Sequence, residues 1–189
     1  SLDKYLDKII STQLGSLRQK EPEISYEEIR RITFDKGGYA LLGCRSILDH
    51  TMDENEEILV YDLGAIVQLT NDIFDVYEDS QNSVKTMVDG IPDLSGFRAE
   101  YQQLIISFLQ KLERQIYKKS NLKKFYYQFM LIASRGLVCL DHLDKSQKKY
   151  GGVFDPVKMP REQLICDMEK PSNFIKSLKY CLEYRKYLT

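Results

Sequence analysis

One short segment of the chain carries a row of oxygen-bearing side chains at helical spacing. Five residues at steps of three and four positions form this row, which we call the acidic stripe: Gln68, Asn71, Asp72, Asp75 and Asp79. Residues at those steps share one face of an α-helix, where like charges repel one another. A hard divalent cation would offset the repulsion, and Mg²⁺ is usually held by one or two carboxylates together with substrate phosphate. The pattern therefore predicts a magnesium site.

A solvated acidic face is the alternative explanation for such a stripe. Two of its five residues are amides, and the segment just before it, residues 58–67, is mostly apolar. A helix of that composition is expected to be largely buried, and buried carboxylates require partners. We therefore favour metal binding over a solvated face. The predicted metal ligands are Asn71, Asp72, Asp75 and Asp79.

Composition indicates a helical protein in a reducing compartment. With 189 residues, the chain can form one domain with a hydrophobic core, and we predict a single helical domain over residues 1–189. It has no Trp and only five Pro, and its four Cys are far apart, without a CxxC pair. That spacing argues against a zinc site or a disulfide framework, and we expect a cytoplasmic protein. No apolar run reaches transmembrane length, so we expect no transmembrane segment.

The net charge of −1 hides two halves of opposite sign. Residues 1–100 carry 10 basic and 20 acidic side chains, whereas residues 101–189 carry 17 basic and 8 acidic ones. Such asymmetry can indicate a nucleic-acid or membrane partner. The simpler explanation is that the two halves pack together and offset each other's field. Because the basic residues are dispersed through helical patterns, we expect no nucleic-acid partner.

Helical periodicity covers most of the chain, and this predicts an all-α bundle. A capping-box pattern begins at Ser25, and the paired glycines Gly37 and Gly38 within the following helix suggest a kink or a close backbone approach. The clearest loop is predicted at 80–95, and Pro160 is expected to open a short helix. The predicted helices lie near 2–19, 25–48, 54–79, 96–119, 122–148 and 171–187.

The acidic stripe resembles a motif of the class I isoprenoid synthases. In the trans-prenyl diphosphate synthases the second metal motif reads Gln-x-x-Asp-Asp-x-x-Asp, and a loop lysine follows it. The stripe matches this motif from Gln68 to Asp75, except that Asn71 replaces the first Asp, and Lys85 lies at the family's spacing. That family also has a Lys-Thr-Gly/Ala segment upstream, which Lys36 and the two glycines after it resemble without the threonine.

Two other branches of the superfamily resemble the same segment. The squalene and phytoene synthases carry Gln-x-Thr-Asn-x-x-Arg-Asp-x-x-Glu-Asp, which this chain follows from Gln68 to Asp79 with Phe74 in place of the arginine. The terpene cyclases use an Asn/Ser/Glu triad at steps of four, to which Asn71, Asp75 and Asp79 are similar. The motifs leave the branch open.

The resemblance implies a helical bundle of the isoprenoid synthase type that ionises an allylic diphosphate with Mg²⁺. The expected activity is then chain elongation or condensation, with cyclisation as the alternative. Lys36, Lys85 and Gln68 are expected to bind the substrate diphosphate. The carbocation requires an apolar, water-poor pocket with aromatic walls. Candidate wall residues are Tyr39, Phe74, Tyr126, Tyr127 and Phe129, although core packing is the commoner role for each.

One departure from the family is serious, because the chain contains no Asp-Asp-x-x-Asp motif upstream of the stripe. Asp49 and Asp53 flank a turn and are better explained by capping and solvation. The chain begins at Ser1 without an initiator Met, so we expect it to be the C-terminal part of an enzyme whose first motif lies upstream, and to be inactive alone. The alternative is a non-catalytic, degenerate helical module that binds a partner subunit or a prenyl lipid. A homodimer is also plausible.

Overall fold

Eight α-helices and three short 3-10 segments make up the part of the chain that the computed structural model describes, namely residues 3–89, 91 and 93–188. The α-helices are α1 (Asp3–Gly15), α2 (Tyr26–Ser46), α3 (Glu54–Phe74), α4 (Val76–Gln81), α5 (Leu94–Glu113), α6 (Lys119–Lys149), α7 (Arg161–Leu164) and α8 (Pro171–Tyr184). The 3-10 segments are Ser16–Lys20, Pro156–Lys158 and Arg185–Tyr187. These residues contain no β-strand, which confirms the predicted all-α helical bundle.

Three of the long helices begin at side-chain caps that the sequence contains. Ser25 accepts a hydrogen bond from the backbone N–H of Glu28, and Asp53 accepts one from Glu56. Asp93 caps α5 in the same way through the N–H of Ser95. Each cap satisfies a donor that the first turn of a helix leaves unpaired. The expectation that Asp53 is a capping residue is therefore confirmed.

The core lies where α3 packs against α2, α5 and α6. All four helices contribute buried side chains to it, α2 through Ile29, Ile32 and Leu42 together with the small residues at its contact with α3. Prominent members are Leu69, Ile73, Tyr101, Ile105, Leu109, Met130 and Leu137. Full burial of one such aliphatic side chain stabilises the fold by about 1.5–3 kcal/mol. No helix in the described ranges combines the length and apolar character needed to span a membrane.

The prediction of one continuous helix over 54–79 is wrong. α3 ends at Phe74, the backbone bends at Asp75 (φ −91°, ψ 8°), and α4 begins at Val76. The Asp75 N–H still donates to the backbone carbonyl of Asn71 at 2.9 Å, and the Asp79 N–H donates to the backbone carbonyl of Asp75 at 2.8 Å. The bend therefore keeps these helical hydrogen bonds, and no Pro or Gly marks it in the sequence.

A Schellman motif ends α4 and turns the chain back across the stripe. Ser83 adopts a left-handed conformation (φ 55°), and its N–H donates to the carbonyl of Ser80 at 3.3 Å. The Val84 N–H donates to the Asp79 carbonyl at 2.9 Å, which is the six-to-one bond of this motif. Residues after Val84 consequently lie beside the stripe rather than extending away from it.

The remaining differences from prediction concern element ends. The first helix changes to 3-10 geometry at Ser16, and Pro160 precedes α7 as its cap instead of being its first residue. The predicted loop at 80–95 is shorter, since α4 extends to Gln81 and α5 begins at Leu94. Positions 1, 2, 90, 92 and 189 lie outside the described residues. Helix ends depend on local hydrogen bonds that periodicity does not encode.

Candidate functional site

The site is positioned by a backbone contact between two helices. A Cβ added to Gly37 on α2 would lie 2.2 Å from the carbonyl oxygen of Gly64 on α3, and one added to Gly64 would lie 2.3 Å from the Gly37 oxygen. Gly38 lies equally close to the ring of Tyr61. Only glycine fits at this crossing, so the close approach predicted for the glycine pair is confirmed. The contact brings Lys36 of α2 up to the stripe.

A polar cavity of about 350 Å³ lies beside this crossing. Six of the seven predicted site residues line it: Lys36, Gln68, Asn71, Asp72, Asp75 and Asp79. The side chains of Thr33, Glu78 and Thr86 also line it. The sequence analysis matched Glu78 to a family motif but predicted none of the three as a site residue. The stripe therefore faces one cavity together with a lysine from the neighbouring helix, despite the bend at Asp75.

Asp72 is the most deeply buried acid of the stripe, with 6% of its surface exposed. The Gln68 amide donates to its Oδ1 at 2.9 Å, and the Thr33 hydroxyl donates to its Oδ2 at 3.2 Å. Burial raises the pKa of the Asp72 carboxyl, while these two hydrogen bonds and the charge of Lys36 lower it. Gln68 and Thr33 thus hold one carboxylate in a defined orientation inside the cavity.

Asp75 and Asp79 also line the cavity and are only partly buried. The Asn71 amide donates to Asp75 Oδ2 at 2.7 Å, and burial raises the pKa of Asp75, with a smaller contribution from Glu78. Burial also raises the pKa of Asp79 to about 7, and repulsion from Asp72, from Asp75 and from an acid on a different segment adds to this rise. Asp79 is therefore a carboxylate whose ionisation the fold opposes near neutral pH.

That further acid is Asp89, which the sequence analysis missed. It lies in the turn after α4, where the Thr86 hydroxyl donates to its Oδ2 at 3.0 Å and its Oδ1 is buried without a partner. Burial raises the pKa of Asp89 to about 6, and the charge of Asp72 contributes. No local pattern in the sequence identifies Asp89, because its approach to the stripe depends on the chain reversal at Ser83.

The two predicted lysines have different surroundings. Lys36 lines the cavity, and its charge lowers the pKa values of Asp72, Asp75 and Asp79. Lys85 does not line it. Its ammonium instead donates a hydrogen bond to the carbonyl of Pro22, and its backbone exchanges two hydrogen bonds with Gln19. Lys85 lines an adjoining groove, so only Lys36 faces the stripe directly.

The adjoining groove has a volume of about 740 Å³ and is partly apolar. Val84 lines both the polar cavity and this groove, so the two spaces meet at that residue. Its apolar walls include Ile24, Tyr26, Ile29, Ile91, Phe154 and Val157. The sequence analysis did not identify these residues as wall residues, because three separate segments of the chain contribute them.

The five aromatic residues proposed as walls do not line the polar cavity. Tyr126 and Phe129 are buried in the core, which agrees with core packing, the alternative role given for these aromatic residues. The side chain of Tyr127 is 38% exposed on the surface. Tyr39 lines a depression of about 270 Å³ between α1 and α2, and Phe74 lines one of about 390 Å³ that shares Asp75 and Glu78 with the polar cavity. A separate apolar cavity of about 510 Å³ is enclosed by the C-terminal half of α2, the first half of α3, the end of α5 and the start of α6.

The donor set suits a hard cation in its chemistry. It comprises four carboxylates (Asp72, Asp75, Glu78 and Asp79) and four amides (Gln19, Gln68, Asn71 and Asn82) around one cavity, and hard divalent cations prefer oxygen ligands. The described residues contain no group of three or more His, Cys, Asp or Glu side chains already gathered around one point. The arrangement therefore fits a cation held by one or two carboxylates with substrate oxygens and water, and not a closed protein cage.

Comparisons with protein-family models, with curated proteins and with solved structures gave no match for this chain.

Proposed function

We propose that the chain binds Mg²⁺ and the diphosphate group of a prenyl substrate in the polar cavity, as an isoprenoid synthase does. The observation that carries this proposal is the convergence of Lys36 with the whole acidic stripe on one cavity of about 350 Å³. A lysine among acids can bind both Mg²⁺ and a diphosphate group, because the acids attract the cation and the lysine attracts the phosphate.

The electrostatics of the cavity support a cation as the missing partner. Burial and mutual repulsion raise the pKa values of Asp72, Asp75 and Asp79, and none of the three forms a salt bridge with a described residue. Uncompensated carboxylates of this kind destabilise a fold unless a counterion binds. Lys36 supplies a single positive charge, which is insufficient for three acids.

The groove that meets the cavity at Val84 supports an apolar substrate tail. A ligand with its diphosphate among the stripe would place its chain against Ile24, Ile29 and Phe154. Lys85 lines this groove at the same end, where it would contact the ligand beyond the diphosphate. Apolar walls with a few placed polar groups are typical of small-molecule sites.

Each residue of the site would have a distinct task in the proposed reaction. Asp72, Asp75 and Asp79 would hold the metal, with Asn71 completing the set and Gln68 orienting Asp72. Lys36 would bind diphosphate oxygen and stabilise the charge that develops on the leaving group. When bound, Mg²⁺ would supply further neutralisation of that charge. The apolar groove would exclude water from the reacting carbon.

The proposal is tested by calorimetric titration of the chain with geranyl diphosphate, with and without MgCl₂. We expect binding that requires Mg²⁺, and we expect Asp75→Asn to weaken it at least about tenfold by removing one charged ligand. Asp7→Asn, which changes an exposed acid of α1 outside both the cavity and the groove, is the matched control and should bind normally. Binding that is indifferent to Mg²⁺, or no binding at all, would refute the proposal.

The second candidate is a non-catalytic helical module that binds a prenyl lipid. It is favoured by the 510 Å³ apolar cavity, which is lined by Leu59, Leu63 and Phe108 and lies away from the stripe. Competition by inorganic pyrophosphate with Mg²⁺ separates the two candidates, because the synthase site would bind the diphosphate group even in a chain that is inactive alone. Binding of a neutral prenyl alcohol that pyrophosphate and Mg²⁺ do not displace would support the module.

The cellular location and assembly of the chain are also proposals. We infer a cytoplasmic location, which is supported by the free thiols of Cys44, Cys139, Cys166 and Cys181. A homodimer rests on the length of the apolar helices alone. Light scattering of the purified chain, at several concentrations, would test whether it forms.

A further inference from the structure

Helices α6 and α8 pack in antiparallel fashion along one line of contact. The hydroxyls of Ser134 and Ser177 lie 2.6 Å apart, and the thiol of Cys181 donates to the carbonyl of Met130 at 3.7 Å. Nearer the start of α6, the hydroxyl of Tyr126 donates to the carbonyl of Cys181. Residue numbers along this line rise on α8 as they fall on α6, which shows the antiparallel direction.

Helix α5 covers one side of this contact line. The Phe129 ring lies 4.6 Å from the ring of Phe108, and the Tyr180 hydroxyl accepts a hydrogen bond from Arg98 at 2.6 Å. Asp141 completes this side by pairing with the same Arg98 at 2.6 Å, so it is an interhelical ion-pair residue. The opposite side of the line lacks such a covering helix among the described elements.

That uncovered side consists of two parallel rows of exposed side chains. Five of these residues follow a contact residue by one position, two precede one by three positions, and one follows one by four. In an antiparallel pair, residues at these offsets lie on the same side of the contact line. The rows are Lys123, Tyr127, Leu131 and Arg135 on α6, and Phe174, Leu178, Leu182 and Arg185 on α8 and the turn after it. We call these eight residues the basic apolar face.

The apolar side chains in these rows are well exposed. Phe174 is 54% exposed, Leu182 67%, and Leu131 47%. Apolar residues scattered singly over a surface are normal, but adjoining rows on two packed helices form a contiguous patch, and such patches mark interaction sites.

The charges around the face are almost all positive. Residues 119–140 and 171–187 contain eight basic side chains and one acidic side chain. The basic ones are Lys119, Lys123, Lys124, Arg135, Lys176, Lys179, Arg185 and Lys186. None of them forms a salt bridge with any residue that the structure describes. The positive charge of the second half of the chain is therefore not neutralised here by the acidic first half.

We propose that the basic apolar face binds the surface of a membrane that contains anionic lipids. Apolar side chains rimmed by Lys and Arg are the combination that inserts shallowly at a lipid interface while the cations contact anionic headgroups. A second copy of this chain is a poorer occupant, because a two-fold contact would bring the same positive rim against itself. The proposal concerns a different surface from the polar cavity and does not depend on it.

The test is flotation of the chain with phosphatidylcholine vesicles prepared with and without phosphatidylserine. We expect binding only when phosphatidylserine is present, and we expect it to weaken as NaCl is raised. Leu131→Ser with Leu178→Ser should weaken binding about tenfold or more, because both side chains leave the lipid interface. Lys123→Glu with Arg135→Glu should weaken it by a similar factor through headgroup repulsion.

Matched controls come from helix α1, which also carries exposed charged and apolar residues. Ile10→Ser with Leu14→Ser changes two residues that are 55% and 63% exposed, and should leave vesicle binding unchanged. Far-ultraviolet circular dichroism should show that all three double variants retain their helices. Equal loss of vesicle binding in the α1 control and in the variants of the basic apolar face would overturn the proposal, and so would no binding to anionic vesicles. So would a dimer in solution that Leu131→Ser with Leu178→Ser abolishes, because a second copy would then occupy the face.

Discussion

Gly37 and Gly64 contact each other through their backbones, and this contact brings a lysine of α2 to the acids of α3. An added Cβ at either position would lie within 2.3 Å of the opposite carbonyl oxygen. The neighbour in each case is backbone, which cannot rotate away as a flexible side chain can. The helix spacing, and with it the width of the polar cavity, therefore depends on both residues being glycine.

We predict that Gly64→Ala destabilises the chain by about 1–3 kcal/mol, because α2 and α3 must separate to admit the methyl group. The same separation moves Lys36 away from Asp72, so Mg²⁺-dependent ligand binding should weaken as well. Chemical denaturation measures the first effect and calorimetry the second. Gly96→Ala is the control, since nothing lies within 4 Å of its added Cβ. It should stabilise the chain by about 0.5–1 kcal/mol as an ordinary helical substitution.

The pH dependence of stability should reveal the strained acids. Burial raises the pKa of Asp79 to about 7 and that of Asp89 to about 6, so the folded chain holds these protons more tightly than the unfolded chain does. Stability is then highest below the unfolded pKa near 4 and falls as pH rises through the folded values. We expect the free energy of unfolding, measured without divalent cations, to decrease between about pH 5 and pH 8.

Asp79→Asn should remove part of that decrease. At about pH 8 we expect it to stabilise the metal-free chain by about 1–2 kcal/mol, after allowance for partial solvent screening. Asp155→Asn is the control, because an exposed ion pair with Lys158 lowers the pKa of Asp155 and the residue is already ionised in this range. If Asp79→Asn gave the wild-type profile, the described environment of Asp79 would be incorrect.

The two lysines should differ in their contribution to diphosphate binding. Lys36→Gln removes the one cation that lines the polar cavity among the described residues, so the affinity for inorganic pyrophosphate with Mg²⁺ should fall about tenfold. Lys85→Gln should change it less than about threefold, because the Lys85 ammonium bonds to the carbonyl of Pro22. Competition calorimetry measures both. A larger effect from Lys85→Gln would show that its loop rearranges over the ligand.

Thr33→Val should isolate the role of a hydrogen bond to the buried acid. The substitution keeps the shape of the side chain and removes the 3.2 Å hydrogen bond to Asp72. In the wild-type chain this hydrogen bond lowers the pKa of the Asp72 carboxyl. The pKa of Asp72 should therefore rise further, and Mg²⁺ affinity at neutral pH should fall about three- to tenfold. Thr12→Val, where the hydroxyl bonds only within α1, should leave Mg²⁺ affinity unchanged. Equal affinities in both variants would count against Asp72 as a ligand.

Much of the fold could be predicted from local patterns, and the exceptions have identifiable causes. The long helices follow from amphipathic periodicity and from caps such as Ser25 and Asp53, because these signals lie within a few residues of the structure they specify. The bend at Asp75 carries no Pro or Gly signal. Its position depends on how α3 and α4 pack against the rest of the bundle.

Local spacing in the sequence specified which oxygen-bearing side chains share the stripe, because helical geometry relates residues three and four apart wherever the helix lies. Tertiary packing decided what faces them. The Gly37–Gly64 crossing brings in Lys36, the reversal at Ser83 brings in Asp89, and the contact with Pro22 directs Lys85 elsewhere. These approaches join residues far apart along the chain, and their geometry is set by the packing of whole helices, which no local pattern encodes.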